Sequence, residues 1–89
     1  MIIEFTKSFD RQFEGLAPDM QGKARQVIDK FMTCYASKQF PKGLRVHKCG
    51  PFVSISVSMN YRIYISPISD GIRFVFIGDH AAADRYLKT

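Results

Sequence analysis

Val53-Ser54-Ile55-Ser56-Val57-Ser58 and, beyond Met59-Asn60, Tyr61-Arg62-Ile63-Tyr64-Ile65-Ser66 alternate with a period of two residues. Successive side chains of a strand point to opposite faces, so this alternation marks two half-buried strands joined by a tight turn near Met59-Asn60. Just upstream, Leu44 and Val46 alternate with Arg45 and His47 and read as an earlier strand. Downstream, Asp70-Gly71 is a hairpin signal, and Ile72 to Ile77 holds enough apolar residues for a central strand.

Before Leu44 the period is 3.6 instead. Ile2, Ile3 and Phe5 around Glu4 form a short strand or extended arm, and Ser8 is expected to cap a first helix of about two turns that turns Phe9, Phe13 and Leu16 to one side. Pro18 and Asp19 suit the first positions of a second helix, where proline gives up no needed N–H and a carboxylate meets the positive end of the dipole. Met20, Ala24, Val27, Ile28, Phe31, Met32 and Tyr35 then follow one buried stripe, with Pro41 and Gly43 ending it. The expectation is one α+β domain over residues 1–89, with an N-terminal helix pair on one face of an antiparallel sheet of about four strands.

Composition narrows the partners. Apolar residues make up 46% and charged ones 24% of 89 residues, values of a folded globular chain rather than a disordered one. The net charge is +5, carried unevenly: residues 1–41 hold six basic and five acidic side chains, residues 42–89 seven and three. Phosphates or an acidic protein segment are therefore expected on the C-terminal half. Cys34 and Cys49 lack the spacing of a zinc site and read as two unpaired thiols in a reducing cytosol. No export signal or membrane span is visible, and no cofactor or metal is called for.

The sheet face away from the helix pair carries Arg45, His47, Ser54, Ser56, Arg62 and Arg73 in this register, either as a basic concave surface or as an ordinary solvated face. Gly78-Asp79-His80-Ala81-Ala82-Ala83-Asp84-Arg85-Tyr86 is a strand end, an N-cap at Asp79 and a helical turn with His80 at its first position. There the helix dipole favours the neutral imidazole, and the free N–H groups of the first turn can hold a phosphate oxygen. Two histidines and an arginine suffice for metal-free RNA cleavage. One imidazole of His47 and His80 would take the 2′-OH proton, the other would protonate the leaving 5′-oxygen, and the Arg62 guanidinium would stabilise charge on phosphorus. The plainer reading of Arg62 is an ion pair with Asp70 or Asp79, and that of Tyr86 is packing on the sheet rather than stacking on a base. Met20 and Met32 belong to the helical stripe. Gly-rich phosphate loops, serine-nucleophile motifs and paired-carboxylate sites are missing, which leaves kinases, serine hydrolases and metallohydrolases without support.

Taken in order, the helix pair, Gly43-Leu44-Arg45-Val46-His47-Lys48, Phe52-Val53-Ser54-Ile55-Ser56-Val57, Asn60-Tyr61-Arg62-Ile63-Tyr64 and Gly78-Asp79-His80 with Tyr86 resemble the RelE/ParE superfamily of type II toxins over nearly the whole chain. The resemblance to the mRNA-cleaving branch implies catalytic roles for Arg62, His80 and His47. It implies RNA or phosphate contacts for Arg45, Lys48, Arg73 and Tyr86. It further implies a ribosome-dependent endoribonuclease acting on mRNA in the A site, and a cognate acidic antitoxin that folds on binding. The strand that carries two lysines in RelE reads Phe52 to Ser58 here, so no lysine base is available. The resemblance also covers the ParE branch, whose members inhibit DNA gyrase without cutting RNA.

Overall fold

A computed structural model describes residues 1–88. Among them the elements are β1 (Ile2–Phe5), α1 (Lys7–Glu14), α2 (Pro18–Tyr35), a single 3-10 turn at Lys42–Leu44, β2 (His47–Cys49), β3 (Phe52–Ser56), β4 (Tyr61–Ile68), β5 (Gly71–Asp79) and α3 (His80–Lys88). The strands form one sheet in the order β1-β5-β4-β3-β2. The sheet has five strands rather than four, because the N-terminal arm pairs in parallel with β5, Ile2 with Gly71 through Phe5 with Phe74. β1 crosses Gly71 closely enough that a Cβ there would sit 1.7 Å from the Ile2 carbonyl oxygen, which only glycine avoids.

The first helix starts earlier than expected. Thr6 N still donates to Phe74 O, and Thr6 Oγ1 accepts from Phe9 N at 3.0 Å, so the cap is Thr6 and Ser8 lies inside the helix. Past the end of β1 the Ile77 N–H on that side of β5 is taken by Gln12 Oε1 at 3.1 Å, tying α1 to the sheet. α2 begins at Pro18, as the proline and Asp19 foretell, but ends at Tyr35 and not at Pro41. The chain turns at Lys38, whose φ of 58° is left-handed, with Lys38 N donating to Cys34 O.

Two cores sit on the two faces. Phe9, Ala24, Ile28 and Phe31 of the helices and Leu44 meet Ile55, Ile63, Ile65, Ile72, Phe74 and Ile77 of the sheet on one side. On the other, Ala83 of α3 covers Tyr64, Val75 and Phe76, with Phe52 and Tyr86 around them. The second face is therefore closed by a third helix over part of its area, not left open as a whole. A bulge makes this two-sided packing possible. Ile65 pairs with Phe74 and Tyr64 with Phe76, so Val75 is the extra residue, and Phe74 and Ile77 both reach the helix-pair core although three positions apart. Fully burying an aliphatic or aromatic side chain of this size contributes about 1.5–3 kcal/mol, so both faces stabilise the sheet.

Candidate active site

Tyr61 at the start of β4 and Asp79 at the end of β5 are cross-strand partners, and α3 begins at the next residue. Two strand ends and a helix N-terminus thus meet at one corner. Asp79 Oδ1 accepts from Ala82 N at 2.8 Å, the N-cap that the sequence foretells. Arg62, opposite Gly78, points its Nη2 at His80 Nε2, 3.2 Å away. A guanidinium is only a donor, so a hydrogen bond here requires Nε2 to accept, as it does in the tautomer that carries the ring proton on Nδ1. Gly78 allows the helix to start this close. A Cβ there would lie 2.7 Å from the Phe76 ring and 3.4 Å from Ala82 Cβ. The carboxylate partners considered for Arg62 are elsewhere: Asp79 caps α3, and Asp70 lies at the opposite end of β5, where its carbonyl accepts from Ile2 N.

Arg62 also lines a polar hollow of about 330 Å³ together with Arg45, Ser56, Ser58 and Met59. Ser56 is the cross-strand partner of Arg62. Arg45 is not a strand residue. It follows the 3-10 turn in the left-handed region, φ 49° and ψ 58°, with its N–H bonded to Lys42 O. Met59, 89% exposed, stands at the rim.

The remaining expected site residues are more scattered. His47 pairs with Ser54 and so shares the face of Arg62, but it lies on β2, two strands from Arg62 and three from His80. With strands about 4.8 Å apart and a rise of about 3.3 Å per residue, the two histidine Cα atoms are roughly 15–20 Å apart. Proton transfer at one phosphodiester needs hydrogen-bond reach from each group, so the corner holds one histidine, not two. Ser54 is 2% exposed, sealed beside Tyr64, and adds no hydroxyl to the surface. Lys48 pairs with Val53, which packs on the helix-pair core, and therefore sits on the opposite face from His47. Arg73, at the far end of β5, is held by Glu4 Oε1 at 2.8 Å.

Tyr86 packs in an aromatic cluster, its ring centroid 4.9 Å from Phe76, 5.6 Å from Phe52 and 6.0 Å from Tyr64. Burial raises the Tyr64 phenol above its ordinary value of 10.0; Cys49 and Asp84 add to this and Arg62 opposes it, so Tyr64 keeps its proton. Sequence reading passed over Lys38 and Lys42, which share a second hollow with Arg45 and His47. The available signal was the pair of lysines bracketing Phe40-Pro41 between the last helical residue and the first strand.

A mixed five-stranded sheet with a helix pair on one face and a final helix across the other is the RelE-like toxin fold. Among solved structures, this chain is similar to one from the RelB–RelE antitoxin–toxin complex of Methanococcus jannaschii, with 20% identity, a TM-score of 0.70, and 93% of this chain and 96% of that one covered. It is similar to YafQ of Escherichia coli at 16% identity, with a TM-score of 0.67 and coverage of 92% and 96%. A copper-bound mutant toxin from Helicobacter pylori follows at 16% identity and a TM-score of 0.68, covering 90% and 94%. No family model and no curated protein sequence matches the chain, so the likeness is one of fold.

Proposed function

We propose that the protein is the toxin of a type II toxin–antitoxin pair and an endoribonuclease that cuts mRNA in the ribosomal A site by metal-free attack of the 2′-OH. The Arg62–His80 contact carries this reading. It sets a guanidinium beside an imidazole ring nitrogen at the start of α3, so that one corner offers an RNA phosphate a fixed positive charge and a group able to move a proton, while Asp79 keeps the Ala82 N–H. When the scissile phosphate enters, Arg62 turns its donors to the phosphoryl oxygens and frees Nε2 of His80. His80 then takes the 2′-OH proton, O2′ bonds to phosphorus, and the bond to the 5′-oxygen breaks. A 2′,3′-cyclic phosphate and a 5′-hydroxyl result, the 5′-oxygen taking a proton from water and the hydroxide so formed taking back the proton held by His80. Arg62 meets the charge that builds on the phosphoryl oxygens. His47, Arg45 and the rim of the hollow serve as RNA contacts.

The RelB–RelE and DinJ–YafQ structures are of antitoxin–toxin complexes. By the same reading this chain has an acidic antitoxin that neutralises its basic corner. Primer extension on a reporter mRNA translated in vitro tests the activity, beside a gyrase supercoiling assay. Discrete in-frame cuts that vanish with His80→Ala are expected. Intact mRNA with blocked supercoiling would replace the nuclease with a gyrase inhibitor.

A further inference from the structure

The hollow at the Arg62–His80 corner does not end at Arg45. On the other side of that residue lies a second hollow of about 430 Å³, whose charged or ionisable lining is Lys38, Lys42, Arg45 and His47. Neither hollow is lined by an aspartate or glutamate. By contrast, the apolar groove between α1 and α2 has Asp10 and Asp29 beside Arg25. Among the described residues, the ion pair that forms is Arg73 with Glu4, and none of Lys38, Lys42, Arg45 or Arg62 takes part in one. Among the described residues, four cations thus follow one another from the corner to the sheet edge without a carboxylate partner; Lys38 Nζ lies 3.6 Å from the centroid of the Tyr35 ring, a contact that leaves its charge in place.

The backbone supports the same path. Lys38 and Arg45 are the two residues other than glycine with positive φ among the described residues, at 58° and 49°. Left-handed backbone is disfavoured for an ordinary side chain, and neither lysine nor arginine has the short polar side chain that offsets it. Both strained residues border this one hollow. Leu44, 3% exposed, and Phe40, stacked on Phe31 at 5.1 Å, pin the loop from beneath and hold it in that shape.

We infer that the hollow of Lys38, Lys42, Arg45 and His47 is a second phosphate subsite for single-stranded RNA, holding the strand beside the bond cut at Arg62 and His80. The inference rests on the reading of that corner as an RNA site and gives the strand its path. RNA leaves the corner across Ser56 and Arg45 toward the β2 edge, rather than over α3. Arg45, shared by both hollows, bridges the two phosphates.

The test uses a fluorescent ten-nucleotide RNA, 2′-O-methylated throughout so that it cannot be cut. Binding to the whole protein is measured by anisotropy over a range of salt concentrations. Each phosphate contact to a single strand contributes about 0.7 to the slope of log K against log salt. Lys42→Ala lowers the slope by about 0.7 and the Lys38→Asn/Lys42→Ala double variant by about 1.4, asparagine being tolerant of the left-handed backbone at Lys38. Lys30→Ala, on the exposed side of α2, leaves it unchanged. An unchanged slope in the double variant, an equal drop in Lys30→Ala, or no saturable binding overturns the subsite. Because the probe cannot be cleaved, this result is separate from primer extension: a lowered slope supports the subsite even where mRNA stays intact, and an unchanged slope removes it even where mRNA is cut.

Discussion

Arg73 and Arg62 stand on one face of the sheet near opposite ends of the β4–β5 hairpin, and their partners differ in kind. Arg73 is bound by the Glu4 carboxylate at 2.8 Å, whereas Arg62 faces the imidazole of His80 at 3.2 Å. A carboxylate cancels a guanidinium's charge, while a ring nitrogen that accepts from it only orients it. Charge on a sheet face is therefore a poor guide to a site; what distinguishes the corner is an arginine left positive by its neighbour.

The largest effects should fall on the corner. Arg62→Ala and His80→Ala are each expected to lower mRNA cleavage by roughly 10²–10⁴, with unchanged circular dichroism, since positioned acid–base groups typically contribute that much. Wild-type cutting by both folded variants would break the distinction between the two arginines. Gly78→Ala should come next. The added methyl forces the Phe76 ring or the start of α3 to move, costing about 1–3 kcal/mol in a denaturant melt and displacing His80 from Arg62. Arg45→Gly sharpens the comparison in another way. Relief of the left-handed strain should stabilise the fold by about 1 kcal/mol while cleavage falls, a split that a purely structural arginine would not produce.

At the other end, Glu4→Gln exposes the Arg73 charge without moving it. Both side chains are nearly half exposed, so stability should change by about 0–1 kcal/mol and cleavage by less than about twofold. A large loss of cleavage would make Arg73 part of the site. The smallest expected effect is alkaline. Burial holds the Tyr64 proton above its ordinary value of 10.0, so its contribution to stability is present below pH 10 and is lost as pH rises through the folded value. Tyr64→Phe should flatten that part of the pH–stability curve.

Local periodicity carried the helix pair, the strands and the Asp79 cap, because each depends on residues a few positions apart. What it could not carry depends on distant partners. Thr6, not Ser8, caps α1 because Phe74 holds the chain in the sheet one residue longer. Val75 breaks the alternation of β5 at a bulge, which a run of apolar residues does not announce. Ser54 reads as a surface hydroxyl until Tyr64 is set across from it. The same holds at the site. Arg62 and His80 were legible as types of residue at strand and helix ends, but their contact across 18 positions, and the distance that separates His47 from it, follow from the strand order.

The pairing of β1 with β5 has a consequence for how the molecule opens. Glu4 and Arg73 meet across 69 positions, and closing a loop of that length costs roughly 4 kcal/mol from its logarithmic term alone. The β4–β5 hairpin and the turn into α3 close over far shorter separations. Opening should therefore begin at β1, whose four residues are all exposed, with the Ile2 and Thr6 amides exchanging with solvent first and those of the hairpin last. A molecule that has let go of its first strand still holds Arg62 against His80.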